Sequence, residues 1–137
     1  MYSVKKTTSI AYAHRLLNYN GKCENLHGHN GKVEVIIESE SLNAEDMVED
    51  FSLVERKLRK YLDENLDHKI ILSEDDPLLK VLAGSGQRCY LVKKNPTAEV
   101  LAKLIFEAMK KEGMKVVKVN FLETESSTAS YEEKGGR

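Results

Sequence analysis

Cys23, His27 and His29 fall in one short stretch, Cys23-Glu24-Asn25-Leu26-His27-Gly28-His29-Asn30. On an extended backbone the two imidazoles point the same way, because side chains repeat every two residues. Neutral imidazole nitrogen is the commonest metal ligand and suits zinc. A catalytic zinc keeps three protein ligands and leaves a fourth position for water or substrate. His14 offers a third imidazole: it shares parity with Ile10 and Tyr12 and so extends an apolar strand face. Adjacent strands lie about 4.8 Å apart, so imidazoles at strand ends can converge on one ion. Alone, His-Gly-His is a weak signal that a loop or a core explains better. With His14 on an inward face, a three-histidine site with an open position is the preferred reading.

Other groups could use such a centre, and each has a plainer explanation. Cys23 is a buried small hydrophobe, a fourth ligand closing a structural site, or a free base beside a catalytic one; the residues leave these open. Asp67-His68 reads on spacing alone as a simple surface pair. Glu123 follows Val117, Val119 and Phe121 in phase, so a carboxylate ends an apolar row. It is a strand-end acid, or an acceptor of two parallel N–H bonds from an amidine-like ring edge, as in pterin or guanine.

Periodicity gives the elements that must position these groups. Val4 to His14 reads as a strand and Leu16 to Asn25 as a loop. His27, His29, Gly31, Val33, Val35 and Ile37 form the buried row of a second strand, with Gly31 a candidate bulge. Asp50 to Asn65 reads as an amphipathic helix, with a capping box at Ser52-Leu53-Val54-Glu55. A connector through Gly84-Ser85-Gly86 precedes a candidate short strand, Cys89 to Val92. Asn95-Pro96-Thr97-Ala98-Glu99 opens a second helix that Gly113 stops. Val116 to Glu123 and Thr128 to Glu132 are the last strands. The order strand, strand, helix, helix, strand, strand favours an α+β fold: an antiparallel sheet with two helices on one face.

A length of 137 residues fits one domain, 1–137. Hydrophobic content of 41% and charged content of 31% are those of a soluble globular chain. A net charge of −1 argues against nucleic-acid binding. Two cysteines, Cys23 and Cys89, give no disulfide framework. The start, Met1-Tyr2-Ser3-Val4-Lys5-Lys6, lacks a signal-peptide apolar run, and no stretch approaches the roughly 20 apolar residues that span a bilayer. The expectation is a reducing cytoplasm. The tail from Glu132 to Arg137 is polar and expected to fray.

Together, Ala13-His14, Cys23-x-x-x-His27-Gly28-His29-Asn30, Asp50-Phe51, Leu66-Asp67-His68, Pro96-Thr97-x-Glu99 and Glu123-Thr124, with Ala129 and Tyr131, resemble the 6-pyruvoyl-tetrahydropterin synthase family across nearly the whole chain. The close spacing of Cys23 and His27 looks like the family's 6-carboxy-tetrahydropterin synthase branch. The resemblance implies the tunnelling fold, order ββααββ, and a homohexamer built from two trimers with active sites at subunit interfaces. It implies Zn2+ held by His14, His27 and His29, Cys23 as general base, and Asp67 and His68 as the partner proton-transfer pair. It further implies Glu123 anchoring the pterin ring and Thr97 in a segment lining the pterin pocket. The implied substrate is 7,8-dihydroneopterin triphosphate, cleaved to 6-carboxytetrahydropterin, acetaldehyde and triphosphate on a route to 7-deazaguanine bases such as queuosine or archaeosine. Pyruvoyl formation, a folate-route side-chain cleavage, and a non-catalytic zinc module closed by Cys23 are the alternatives. Gly31 stands where relatives often carry an aromatic, Ile10 replaces a frequent Phe, and the connector from Asp75 to Val92 is long.

Overall fold

Alternation along two runs of residues generates the backbone of the molecule. In the computed structural model, which describes residues 1–134, β1 (Tyr2–His14) and β2 (His27–Ser39) pair antiparallel from Tyr2↔Ser39 to His14↔His27. Ile10, Tyr12 and His14 of β1 and Val33, Val35 and Ile37 of β2 are buried, while Lys5, Thr7, Ser9 and Lys32 are exposed. The parity expected from sequence therefore holds over both strands. Of the tail expected to fray, Gly135 to Arg137 lie outside the described residues.

After β2 the order is α1 (Phe51–Asn65), β3 (Ile70–Ser73), α2 (Leu78–Gly84), β4 (Cys89–Val92), α3 (Ala98–Lys111), β5 (Val116–Thr124) and β6 (Ser127–Glu132). The sheet runs β4-β3-β1-β2-β5-β6. Its β1–β2, β2–β5 and β5–β6 pairings are antiparallel, and β1–β3 and β3–β4 are parallel. The α+β class stands, but the sheet is mixed, and the connector folds into α2 and β4 after a strand, β3, that the expected order lacked. A four-residue apolar run such as Ile70-Ile71-Leu72-Ser73 is too short to show a period.

Val54, Leu58 and Leu62 of α1 and Leu101, Ala102, Ile105, Phe106 and Met109 of α3 join the inward residues of β1, β2 and β5 in one core. Asp50, not Ser52, caps α1: its dihedrals are extended and its Oδ1 accepts from Ser52 N at 2.7 Å. Ser52 already lies in the first turn, where it cannot serve as the cap. Thr97 caps α3, and Gly113, at φ 86°, follows its end. Gly31 marks no bulge. It pairs regularly with Ile10, and a Cβ there would meet Leu122 O at 2.7 Å, so glycine is what lets β5 approach. The irregularity lies instead where Ile36 faces Lys118 and Ile37 faces Val116, which drops Val117 out of the buried row.

Candidate metal centre

The hairpin places His14 and His27 directly opposite one another at the end joined by the loop of residues 15–26, with His29 one inward position further along β2, opposite Tyr12. Glu123 arrives at the same place from β5. One ligand atom from each of His14, His27, His29 and Glu123 lies within 4.8 Å of the others. His14 Nε2 is 3.1 Å from His27 Nε2 and 3.1 Å from Glu123 Oε1, and His29 Nε2 is 3.0 Å from the same oxygen. Tyr12 packs edge-on to His14 at 5.2 Å between ring centres and also contacts His29 and Phe121, backing the cluster with the core.

The outer nitrogens settle how the inner ones are presented. His14 Nδ1 lies 2.7 Å from Pro96 O, and His27 Nδ1 lies 2.7 Å from Asn25 O. A carbonyl only accepts, so each Nδ1 carries the proton and each Nε2 of the neutral ring presents a lone pair. Two facing lone pairs 3.1 Å apart have no hydrogen to share, and His29 Nε2 is buried without an aligned hydrogen bond. Such a set fits a cation. Ligands about 2.0–2.2 Å from a tetrahedral zinc stand roughly 3.4 Å from each other, close to the separations seen. Carbonyl acceptors behind metal-bound imidazoles are the usual orienting contacts.

Charge supports the neutral ring. Burial lowers the affinity of His14 for a proton, and His27 and His29 reinforce this, against the opposing pull of the Pro96 carbonyl and Glu123. Burial, with Glu123 beside it, holds the Tyr12 hydroxyl above its ordinary range, so it stays protonated.

The structure brings together four of the residues singled out from sequence. Glu123, read as a ring anchor, is the fourth member of the cluster; Cys23, which a closed structural site requires, is not. Cys23 sits on a single 3-10 turn, Lys22–Glu24, with a free, partly buried thiol and its carbonyl accepting from Leu16 N at 2.8 Å. Thr97 accepts from Val100 N at 3.3 Å as the cap of α3.

Asp67 and His68 form a second group on the other side of β1. Asp67 Oδ1 accepts from Ala11 N and Oδ2 from His68 Nδ1, each at 2.8 Å, with Arg59 Nη2 at 3.5 Å from Oδ2. Burial alone would raise the Asp67 carboxyl; the Ala11 N–H, His68 and Arg59 outweigh it and hold it below the usual carboxylate range. His68 takes a left-handed backbone conformation, φ 57°, and its side chain is 80% exposed.

Two supports gave no sequence signal of their role. Arg15 grips buried Asp76 through two hydrogen bonds, Nε to Oδ2 at 2.7 Å and Nη2 to Oδ1. The Asn95 carboxamide holds the backbone of Leu17. Their partners are 61 and 78 residues distant, beyond the reach of any local pattern.

Comparison with known proteins bears on all of this. The model of the family described as 6-pyruvoyl tetrahydropterin synthase matches residues 3–134. The 6-carboxy-5,6,7,8-tetrahydropterin synthase of Aquifex aeolicus is 37% identical over 125 residues, 82% of this chain and 76% of that one. The protein of that name from Haemophilus influenzae is 29% identical over 141 residues, covering 97% and 100%. Among solved structures, an uncharacterized protein of Wolinella succinogenes superposes with a TM-score of 0.81 at 27% identity, over 97% of this chain and 98% of that one. The 6-pyruvoyl tetrahydropterin synthase of Caenorhabditis elegans shares the fold, with a TM-score of 0.73 at 24% identity over 97% and 96%.

Proposed function

The chain belongs to the 6-pyruvoyl tetrahydropterin synthase family, and on that premise we propose that it is a zinc-dependent 6-carboxy-5,6,7,8-tetrahydropterin synthase. Its substrate is 7,8-dihydroneopterin triphosphate, and with water the products are 6-carboxytetrahydropterin, acetaldehyde and triphosphate. The observation that carries the reading is the convergence of three imidazole Nε2 atoms, two with Nδ1–H fixed by a carbonyl, in a chain whose named relatives bear that activity.

His14, His27 and His29 hold the ion, which when bound acts as a Lewis acid toward the oxygens of the substrate side chain. Cys23, free of any disulfide, removes a proton from that side chain. His68 donates or shuttles a proton on the opposite side, kept in one tautomer by Asp67 at its Nδ1. Glu123 accepts from the amidine-like edge of the pterin and so seats the ring next to the metal ligands. Thr97 belongs to the segment lining that pocket.

His68 is exposed and on the far side of β1 from the cluster. That separation supports a site completed between subunits of a homohexamer, with Asp67 and His68 of a neighbouring copy facing the zinc. The sheet edges at β4 and β6 leave strands for such pairing. No described helix is long and apolar enough to cross a membrane, which accords with action on a dissolved pterin in a reducing cytoplasm.

Incubation of the pure protein with dihydroneopterin triphosphate, with the pterin product identified by mass, tests the assignment. A 6-carboxy product is expected; a 6-pyruvoyl product or a folate-route alcohol would move the chain to another member reaction. Cys23→Ala should keep its zinc and lose turnover by about 10²-fold or more. Loss of zinc along with the thiol would favour the structural module instead.

A further inference from the structure

We infer that Asn95 is a positioning residue that sets where Cys23 stands relative to the histidine cluster, an inference that rests on Cys23 being the base. Asn95 stands where a helix cap is expected, yet Thr97 does that work. The carboxamide instead pairs with both backbone groups of Leu17: Oδ1 accepts from Leu17 N at 2.7 Å, and Nδ2 donates to Leu17 O at 3.1 Å. Leu16, next in the chain, donates its N–H to Cys23 O at 2.8 Å. Three hydrogen bonds thus run from Asn95 across the loop to the turn that carries the thiol.

Pro96 adds the second arm. Its carbonyl accepts from His14 Nδ1 at 2.7 Å. Two adjacent residues of one connector therefore hold the two chemically different parts of the site, a metal ligand and the base. The connector is itself fixed, because Pro96 is buried and Thr97 starts α3, whose Ala98 and Leu101 lie in the core. The loop has no comparable burial: Asn18, Tyr19, Asn20, Lys22 and Glu24 are exposed. An amide suits the task because it offers an acceptor and a donor side by side, matching one residue's N–H and C=O. Aspartate would keep only the acceptor, and alanine neither.

A thiol displaced by about 1 Å from its reacting proton is enough to cost on the order of 10²-fold in rate. The predicted signature is thus in kcat. Asn95→Ala and Asn95→Asp are compared with the wild type as zinc-loaded full-length proteins, by turnover of dihydroneopterin triphosphate, zinc content, and hydrogen exchange of the peptide covering residues 15–25. Asn95→Ala should speed exchange of that peptide at least tenfold and lower kcat at least tenfold, with KM within twofold and zinc retained through His14, His27 and His29. Asn95→Asp, which keeps the bond from Leu17 N–H, should fall between. Faster exchange with kcat within twofold of wild type would make the clamp merely structural and overturn the inference. Unchanged exchange in Asn95→Ala would overturn it as well. If the wild type fails to turn over the triphosphate, the proposed activity fails instead, and the exchange arm still tells whether Asn95 holds the loop.

Discussion

The two sides of β1 solve different problems with the same strand. On its inward face, His14 joins His27, His29 and Glu123 from β2 and β5, with Tyr12 backing His14 and His29 and the outer nitrogens of His14 and His27 pinned. On its outer edge, Asp67 and His68 hang from the Ala11 N–H and C=O by hydrogen bonds, with the imidazole in solvent. The proposed metal ligands, which have to sit within tenths of an ångström of an ideal place, come from residues in a regular ladder. The proposed proton carrier needs a defined tautomer and an accessible second nitrogen, and the Asp67 contact and a left-handed turn suit that role.

Histidine substitutions on the two sides should break in opposite ways, and this is the largest expected effect. His27→Ala should lower zinc affinity by about 10²-fold or more and remove turnover with it. His68→Asn should leave zinc content at the wild-type level and lower turnover by about 10²–10⁴-fold, the usual worth of a general acid or base. Metal analysis beside a rate assay separates them. Zinc lost from the His68 variant would erase the distinction drawn between the two faces.

Glu123 sharpens the comparison because it belongs to the inward group by position and, on the proposed reading, to the substrate by chemistry. Glu123→Gln keeps the shape while removing the charge. Losing a hydrogen bond to a charged acceptor, worth about 1.5–3 kcal/mol, should weaken pterin binding by roughly 10–10²-fold while zinc stays bound. The reverse pattern, weaker zinc with pterin affinity unchanged, would make Glu123 a metal ligand and return the ring anchor to some other residue. Calorimetry with a non-reacting pterin on zinc-loaded protein reads the pterin affinity, and titration of the metal-free protein with zinc reads the zinc affinity.

The inward group was legible in the sequence because it lies on long, alternating strands. Parity alone put His14 beside Ile10 and Tyr12, His27 and His29 in line with Val33, and Glu123 after Phe121, and the ladder made those rows neighbours. The supports were not legible, for a physical reason: each is a single hydrogen-bonded pair closing a gap of many residues. Pro96 serves His14 through a carbonyl, which every residue type has. Asn95 resembles a helix cap in every local respect, and Asp50 lost its claim as cap to a Ser-x-x-Glu spacing that occurs by chance inside the first turn. Strand β3 was hidden by its brevity, although it is the element that β1 uses to reach β4.

The smallest effect concerns Arg15, which follows His14 and anchors the end of β1 to Asp76. The Asp76 side chain is fully buried and that of Arg15 is 24% exposed, so the pair is shielded on one side only. The Arg15 guanidinium, helped by the Leu78 N–H, holds the Asp76 carboxyl below the usual carboxylate range. A group whose pKa is depressed on folding contributes stability above its unfolded value, near 3.9 for Asp, and that contribution disappears as pH falls through the folded value. Arg15→Gln should therefore lower stability at neutral pH by about 2 kcal/mol, discounted for the exposed half of the pair, and should move the acid unfolding midpoint to higher pH. Zinc content should hold, since the Pro96 carbonyl keeps His14 in place independently of Arg15. Urea titrations at pH 7 and at about pH 2, with zinc analysis at pH 7, check both: a variant that loses as much at the acid pH as at pH 7, or that sheds its zinc, would mean that Arg15 supports the metal centre and not merely the strand that carries it.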